Sequence, residues 1–268
     1  FNQYNSRADF FELFTNLVLN KNMNLLVGTS HQAQNMDYKG YELNDWGRTD
    51  YDAISSDLAK VNNFSIYSTL NAAFQNGFGF EVGLRHNTHS VYGQNFTFTL
   101  NPYFLIDRQF KVFASYGSSF RNPALYQLYS PYGNLDLKPE QAKTYEAGFQ
   151  VFGEDHRNFL RLVTFGRQYD DMIIFESISA APWGIYNNLD KKASDHGVEI
   201  EGTYQWNKLT TGMNYTLLAG TISDDLAQKG DEIRAFLRRP NHTVNLRAGY
   251  AFNKQLTVGI QAQYLSKR

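Results

Sequence analysis

A chain of 268 residues is long enough for a large core or for more than one domain, and its 25 basic residues balance 26 acidic ones, which leaves no electrostatic footprint for nucleic acid. There is no cysteine, which excludes disulfide frameworks, thiolate metal sites and cysteine nucleophiles. Aromatic residues make up 16% of the chain, yet no apolar run approaches the ~18 residues that a membrane-crossing helix needs.

The mean hydropathy of −0.48 does not argue against a membrane, because a water-lined β-barrel hides its apolar face in alternation. The sequence opens at Phe1 with neither Met nor a signal peptide, which reads as a mature piece or a fragment.

Phe10 to Leu19 is the first predicted strand; it turns at Asn20-Lys21-Asn22 and returns over Met23 to Gln34. A polar stretch from Met36 to Lys60, with Trp46, is too long for a hairpin turn. The next strand, Val61 to Phe74, ends at Gln75-Asn76-Gly77, an Asn-Gly hairpin signal. Phe78, Phe80, Val82 and Leu84 then alternate with Gly79, Glu81, Gly83 and Arg85 in strict period two.

After a loop at His86 to Gln94, Phe96, Phe98, Leu100 and Phe104 alternate with polar residues. Beyond the Asp107-Arg108 turn, Phe110, Val112, Ala114 and Tyr116 do the same. A long loop from Ser119 to Pro139 leads to a strand with Tyr145, Ala147, Phe149 and Val151 on one face. The turn Gly153-Glu154-Asp155 opens a weaker strand over Asn158 to Phe175, whose faces are ambiguous because Arg161 and Arg167 share parity with Val163 and Phe165.

A loop with Trp183 precedes a strand over Tyr186 to Trp206, and Leu209 to Leu218 runs into a charged loop, Gly220 to Ala235. Strands ending in Tyr250 and Tyr264 flank a turn at Asn253-Lys254. That makes twelve strands, joined by connections that alternate short and long. Short turns on one side, long loops on the other and aromatics at strand ends define a transmembrane antiparallel β-barrel, an all-β fold. The twelve either close alone or form part of a larger barrel, since a sheet in lipid must close.

One stretch carries a family signature. Ser119-Phe120-Arg121-Asn122-Pro123, Leu125-Tyr126-Gln127-Leu128-Tyr129 and Asn134-Leu135-Asp136-Leu137-Lys138-Pro139-Glu140 resemble the corresponding segments of TonB-dependent outer-membrane receptors. Arg167 to Ile174, Asn188 to Glu201 and Leu237-Arg238-Arg239-Pro240 extend the resemblance, which covers about residues 115 to 268.

The resemblance implies the C-terminal part of a receptor barrel in the outer membrane of a Gram-negative bacterium. Such barrels are 22-stranded, with an N-terminal plug and energy delivered through TonB. This chain shows no plug, no TonB box and no final strands. Among these receptors the match is nearest to those that import cobalamin, so the implied substrate is a corrinoid. Siderophore, haem and oligosaccharide are the alternatives, and a passive porin is the alternative of another class. Outer-membrane lipid, lipopolysaccharide and a surface lipoprotein are further partners of such a receptor.

The candidate ligand contacts are Arg121, Tyr126, Tyr129, Tyr132, Asn134 and Trp183. Tyrosines are amphipathic, cost little rotamer entropy and can stack on a flat macrocycle; they can equally pack the loop. Arg121 is expected to pair with a lumenal or plug carboxylate, because an unpaired charge in a confined lumen is costly. Glu199 and Glu201 are read as lining the lumen or pairing with plug arginines. Arg238-Arg239 suits lipopolysaccharide phosphate or a lumenal pair. His86-x-x-His89 lacks a third metal ligand, and neither Asp170-Asp171 nor Asp224-Asp225 has the oxygen spacing of a calcium loop. No hydrolase elbow, zinc-protease motif or phosphate loop is present, so no enzyme activity, cofactor or metal is expected.

Overall fold

The computed structural model describes residues 1–50, 53–154, 157–179, 183–190, 192–222 and 239–267. Its strands in chain order are β1 (Asn2–Asn20), β2 (Met23–Asn44), β3 (Gly47–Asp50), β4 (Lys60–Ala73), β5 (Phe78–His89), β6 (Gly93–Ile106) and β7 (Phe110–Arg121). A short helix α1 (Leu125–Tyr129) precedes β8 (Glu140–Phe152), β9 (Phe159–Asp170), β10 (Ile173–Glu176), β11 (Ile185–Asn188), β12 (Ala193–Trp206), β13 (Leu209–Ile222), β14 (His242–Ala251) and β15 (Thr257–Leu265).

The main sheet is a meander. Its path runs β1-β2-β4-β5-β6-β7-β8-β9-β12-β13-β14-β15, every neighbour antiparallel, and β3 is attached to β2. That path holds the twelve strands expected from the alternation. Strands β10 and β11 form a separate ribbon. Among the described residues, β1 pairs only with β2 within this path and β15 only with β14.

Alternation fixes the register, because a one-residue slip would send every apolar side chain to the wrong face. Phe64, Ile66, Leu84, Phe96, Leu100, Phe110, Val112, Tyr145, Phe149, Leu246 and Ile260 are all exposed on the outer side. An apolar surface this continuous has no place in water and is the lipid-facing band. At the short-turn end Phe74 stacks on Phe78 at 6.2 Å and Tyr250 meets Phe252 edge-on at 4.9 Å, the aromatic girdle of a membrane interface.

The inner face is polar and cross-linked. Arg85 donates to Asn87 Oδ1 at 2.9 Å, Ser65 Oγ at 2.9 Å and Ser30 Oγ at 3.1 Å, and Asn87 donates to Asn95 at 2.9 Å. These bonds tie β2, β4, β5 and β6 side by side. The face of β9 that sequence left open is also settled. Arg161 lies over the Phe113 ring at 5.2 Å and Arg167 over Phe165 at 5.2 Å, so arginines and aromatics share the inner wall as stacked pairs.

Tight turns follow local chemistry. Asp107 and Arg108 both adopt positive φ (48° and 59°) at the centre of a tight three-residue connection, 107–109, closed by the Gln109 N–H to Ile106 carbonyl bond at 3.0 Å. Gly77 sits at φ 88°, and a Cβ there would lie 2.1 Å from the Leu105 carbonyl oxygen, so only glycine fits.

Several boundaries differ from the sequence reading. β1 begins at Asn2 and β2 continues to Asn44, so much of the polar stretch is strand. The supposed loop at 86–94 is only a three-residue turn, 90–92, because β5 runs through His89 and Gly93 takes up φ 69°. Asp171, at φ 54°, breaks the strand expected to reach Phe175, and Ile173–Glu176 pairs with Ile185–Asn188 instead. Asp155 of one turn, Asp224-Asp225 and Arg238 lie outside the described residues.

Candidate ligand-contact site

The long connections gather at one end of the sheet, and the one after β7 turns inward. β7 and β2 are four places apart in the strand order, about 19 Å along a flat sheet at the usual strand spacing. Yet Leu125 of α1 packs in a buried cluster with Met36 of β2, Val61 of β4 and Ala59 just before that strand, flanked by Ile54, Tyr126 and Tyr129. The wall is therefore curved, and this segment crosses its concave side.

Its shape is set locally. The Gln127 side chain accepts from the Ala124 N–H at 2.9 Å and caps the first turn. Ser130 N–H donates to the Tyr126 carbonyl at 3.1 Å and Gly133 N–H to the Ser130 carbonyl at 2.7 Å, closing the other end. Leu125, Leu128 and Leu137 point into protein and are buried.

At its base Arg121 forms an ion pair with Glu140, the register partner that closes the β7–β8 ladder. The partner is thus the Glu of the Leu-Lys-Pro-Glu run in this same chain. Glu140 also accepts from the Ile173 N–H at 2.7 Å, tying the β10–β11 ribbon to the wall.

The ribbon braces the far side. Asn134 Nδ2 donates to the Tyr186 carbonyl and to Asn187 Oδ1, both at 3.0 Å, while its Oδ1 accepts from the Asp136 N–H at 2.9 Å. Asn188 accepts from the Lys138 N–H at 2.7 Å and donates to the Lys138 and Asp171 carbonyls at 2.9 and 2.6 Å.

The tyrosines form a continuous aromatic surface. Tyr126 meets Tyr4 at 5.2 Å and Tyr186 at 6.2 Å; Tyr4 stacks on Tyr38 at 4.6 Å; Tyr132 meets Phe175 at 5.6 Å. Tyr38 donates to Asn2 Oδ1 at 2.8 Å. Burial, with Tyr126 adjacent, raises the Tyr186 phenol above its ordinary value, so it stays a neutral hydrogen-bonding group. Tyr129 is half-buried against the α1 cluster.

Trp183 stands apart, exposed at the tip of the ribbon with φ 69°. So of the six candidate residues, Tyr126 and Tyr132 share the aromatic surface, Tyr129 backs it, and Arg121 and Asn134 hold the frame. Tyr4, Tyr38, Phe175 and Tyr186 were not anticipated. Tyr4 and Tyr38 lie on the extensions of β1 and β2, residues 2–9 and 35–44, which the sequence reading left outside the strands.

A second cluster lies further round the inner wall. Asp195, with its side chain fully buried, accepts from Arg167 Nε at 2.6 Å and Nη2 at 2.8 Å, and Arg239 Nη1 lies 3.5 Å from the same carboxylate. Arg239 is therefore a lumenal partner, the second of its two expected roles. His86 is exposed on the outer face and His89 buried on the inner one, so this pair cannot share an ion. Glu199 and Glu201 lie on the inner wall, Glu201 opposite Arg161.

A curved antiparallel wall with a lipid-facing apolar band, a cross-linked polar lumen face and an inward-folded loop defines the wall of an outer-membrane β-barrel. Family comparison specifies which: the TonB dependent receptor-like, beta-barrel family matches residues 1–268, and the chain belongs to it. Members of this family reside in the Gram-negative outer membrane and are not enzymes.

Among curated relatives, the vitamin B12 transporter BtuB of Vibrio cholerae is 29% identical over 189 residues, 70% of this chain but 28% of that protein. Among solved structures, the siderophore receptor PirA from Pseudomonas aeruginosa superposes with a TM-score of 0.68 at 19% identity, over 97% of this chain and 47% of the other. The copper transporter OprC gives 0.77 at 16% identity, over 98% and 44%. The chain thus spans less than half the length of each of these proteins.

Proposed function

We propose that the complete protein is an active importer of the outer membrane and that its substrate is a corrinoid. The observation that carries this reading is the aromatic surface of Tyr126, Tyr132, Tyr4 and Tyr186 laid across the concave side of the wall at its long-loop end. Flat rings with phenol tips suit a large, flat, amphipathic ligand. The likeness to a vitamin B12 transporter supports the same substrate class. The siderophore and copper proteins share the fold at under 20% identity and so do not bear on what this chain binds.

In this reading Tyr126, Tyr129 and Tyr132 contact the ligand and Trp183 meets it first from outside. Arg121 and Asn134 serve by holding the loop. Further strands pair with the edges of β1 and β15 to complete a barrel of about 22 strands, since neither edge can stay unpaired in hydrocarbon. A plug domain fills the lumen and TonB pulls on it to open a path. Lipopolysaccharide surrounds the outer rim.

Equilibrium binding of cyanocobalamin to the purified complete receptor in detergent tests the substrate. Saturable binding below micromolar ligand is expected, and no binding at micromolar ligand would remove the corrinoid from the account.

A further inference from the structure

Beneath α1, on the inner wall, lies a cleft of about 600 Å³ lined by Gln32, Gln34, Asn63, Asn122, His89 and Arg121. Val61, Phe120, Pro123 and Ala124 make much of the remaining lining apolar, and the polar groups set among them present no unpaired charge. The Arg121 charge is matched by Glu140. His89 Nδ1 accepts from the N–H groups of Val91 and Tyr92, both at 3.2 Å, which requires an unprotonated ring nitrogen and leaves a neutral imidazole.

The remaining groups are carboxamides with spare capacity. Asn63 and Asn122 each carry a buried Oδ1 that has no hydrogen-bond partner. Gln32 and Gln34 present their amides from the inner face of β2, half-buried, without a side-chain partner among the described residues. Buried polar groups are ordinarily satisfied, so the two orphaned oxygens have hydrogen-bonding capacity that the wall does not use. Two orphaned amide oxygens and two half-buried glutamine amides, from β2, β4 and the α1 approach, converge on one cleft, a concentration that wall packing does not require. Turning about its last torsion, each amide can offer a donor or an acceptor.

We propose that this cleft binds a neutral, hydrogen-bond-rich edge of the transported ligand, one that carries amides or hydroxyls, and that it discriminates against anionic ligands. A carboxylate or catecholate placed there would meet carboxamides and a neutral imidazole, with the nearest cation already paired. The inference rests on the reading of the α1 loop as the substrate-contact site, and it adds what the aromatic surface cannot: rings select flat ligands, amides select their neutral fringe.

The test uses the complete receptor in detergent, as parent and as the Gln32→Leu/Asn63→Leu variant, with its fold checked by heat-modifiable migration on gels. The probes are cyanocobalamin, its derivatives with one peripheral amide hydrolysed to carboxylate, maltoheptaose and a ferric tris-catecholate. Cyanocobalamin should bind the parent, and at least one acid derivative, and the double variant, should bind about tenfold or more weakly, the value of one or two neutral hydrogen bonds. Because the acid series needs no mutation, a misfolded variant leaves it decisive.

If cyanocobalamin binds but every acid derivative and the variant bind as well, the cleft inference is overturned while the corrinoid reading stands. If only maltoheptaose binds and the variant weakens it, the corrinoid reading falls and the cleft inference holds for a polyol. Binding of the catecholate alone, or of no probe, overturns both.

Discussion

Replacing Asp195 by Leu removes the buried centre of the β9–β12 wall. Its carboxylate is wholly shielded from water and takes two short bonds from Arg167, with Arg239 at 3.5 Å. Deleting one partner of a buried pair costs about 3–5 kcal/mol, because the other charge is left without compensation. The Arg167 side chain keeps 33% of its surface exposed and so recovers some hydration, which puts the expected loss at the low end, about 3 kcal/mol. Arg239 is half exposed and can turn to water.

Pairing Asp195→Leu with Arg167→Leu removes the stranded charge, and the double variant should return to within about 1 kcal/mol of the parent, since apolar replacement of a buried pair is often neutral. Urea unfolding of the complete receptor in detergent micelles, followed by tryptophan fluorescence, measures both. A single variant as stable as the parent, or a double variant no more stable than the single, would refute the reasoning.

Three further outcomes follow from the loop and its supports. Tyr126→Ala should remove two aromatic contacts worth about 0.5–1.5 kcal/mol each, and hydrogen exchange over residues 124–134 should speed up while the strands stay protected. Gly133→Ala would place a Cβ 2.4 Å from the Leu128 carbonyl oxygen and 2.8 Å from that of Ser130, so the loop must shift and ligand affinity should fall with little change in barrel stability. Burial pushes the Tyr92 phenol up to about 12 from an ordinary value of 10, with Tyr129 adding to the rise. The folded state therefore holds that proton more tightly, and its contribution to stability is full below pH 10 and lost as pH rises through 12. Difference absorbance at 295 nm between parent and Tyr92→Phe should show one tyrosinate step missing near pH 12 and none missing near pH 10.

Period two made the wall legible from sequence. Phe78 to Arg85 and Phe110 to Gly117 alternate so cleanly that their faces match the structure residue by residue, and every strand of the sheet path was identified. Where alternation was mixed, as at Arg161 to Arg167, the faces became clear only once the stacking on Phe113 and Phe165 was seen. The outer extensions of β1 and β2 were missed because polar residues crowd them, and the alternation that places Met36 and Tyr38 on the inner face is too short to stand out.

The site was legible in part. The Arg121 to Glu140 run marked the loop that the structure folds across the inner wall, and its motif residues build the ion pair and the turn that shape it. The structural partners of Asn134 could not be read from spacing, because its bonds run to Tyr186 and Asn187, more than fifty positions away. Tyr4 reaches Tyr126 across the curvature of the sheet, a contact between residues distant in sequence that no local pattern encodes. The amides of the cleft beneath α1 are likewise scattered over three separate stretches of chain.

Uptake of radiolabelled cyanocobalamin by cells that depend on the complete protein, compared with and without a functional TonB, tests the central claim most directly. Accumulation should require TonB and fall when Tyr126 and Tyr132 are both replaced by Ala. Accumulation that is independent of TonB, or absent while another ligand is taken up, would contradict it.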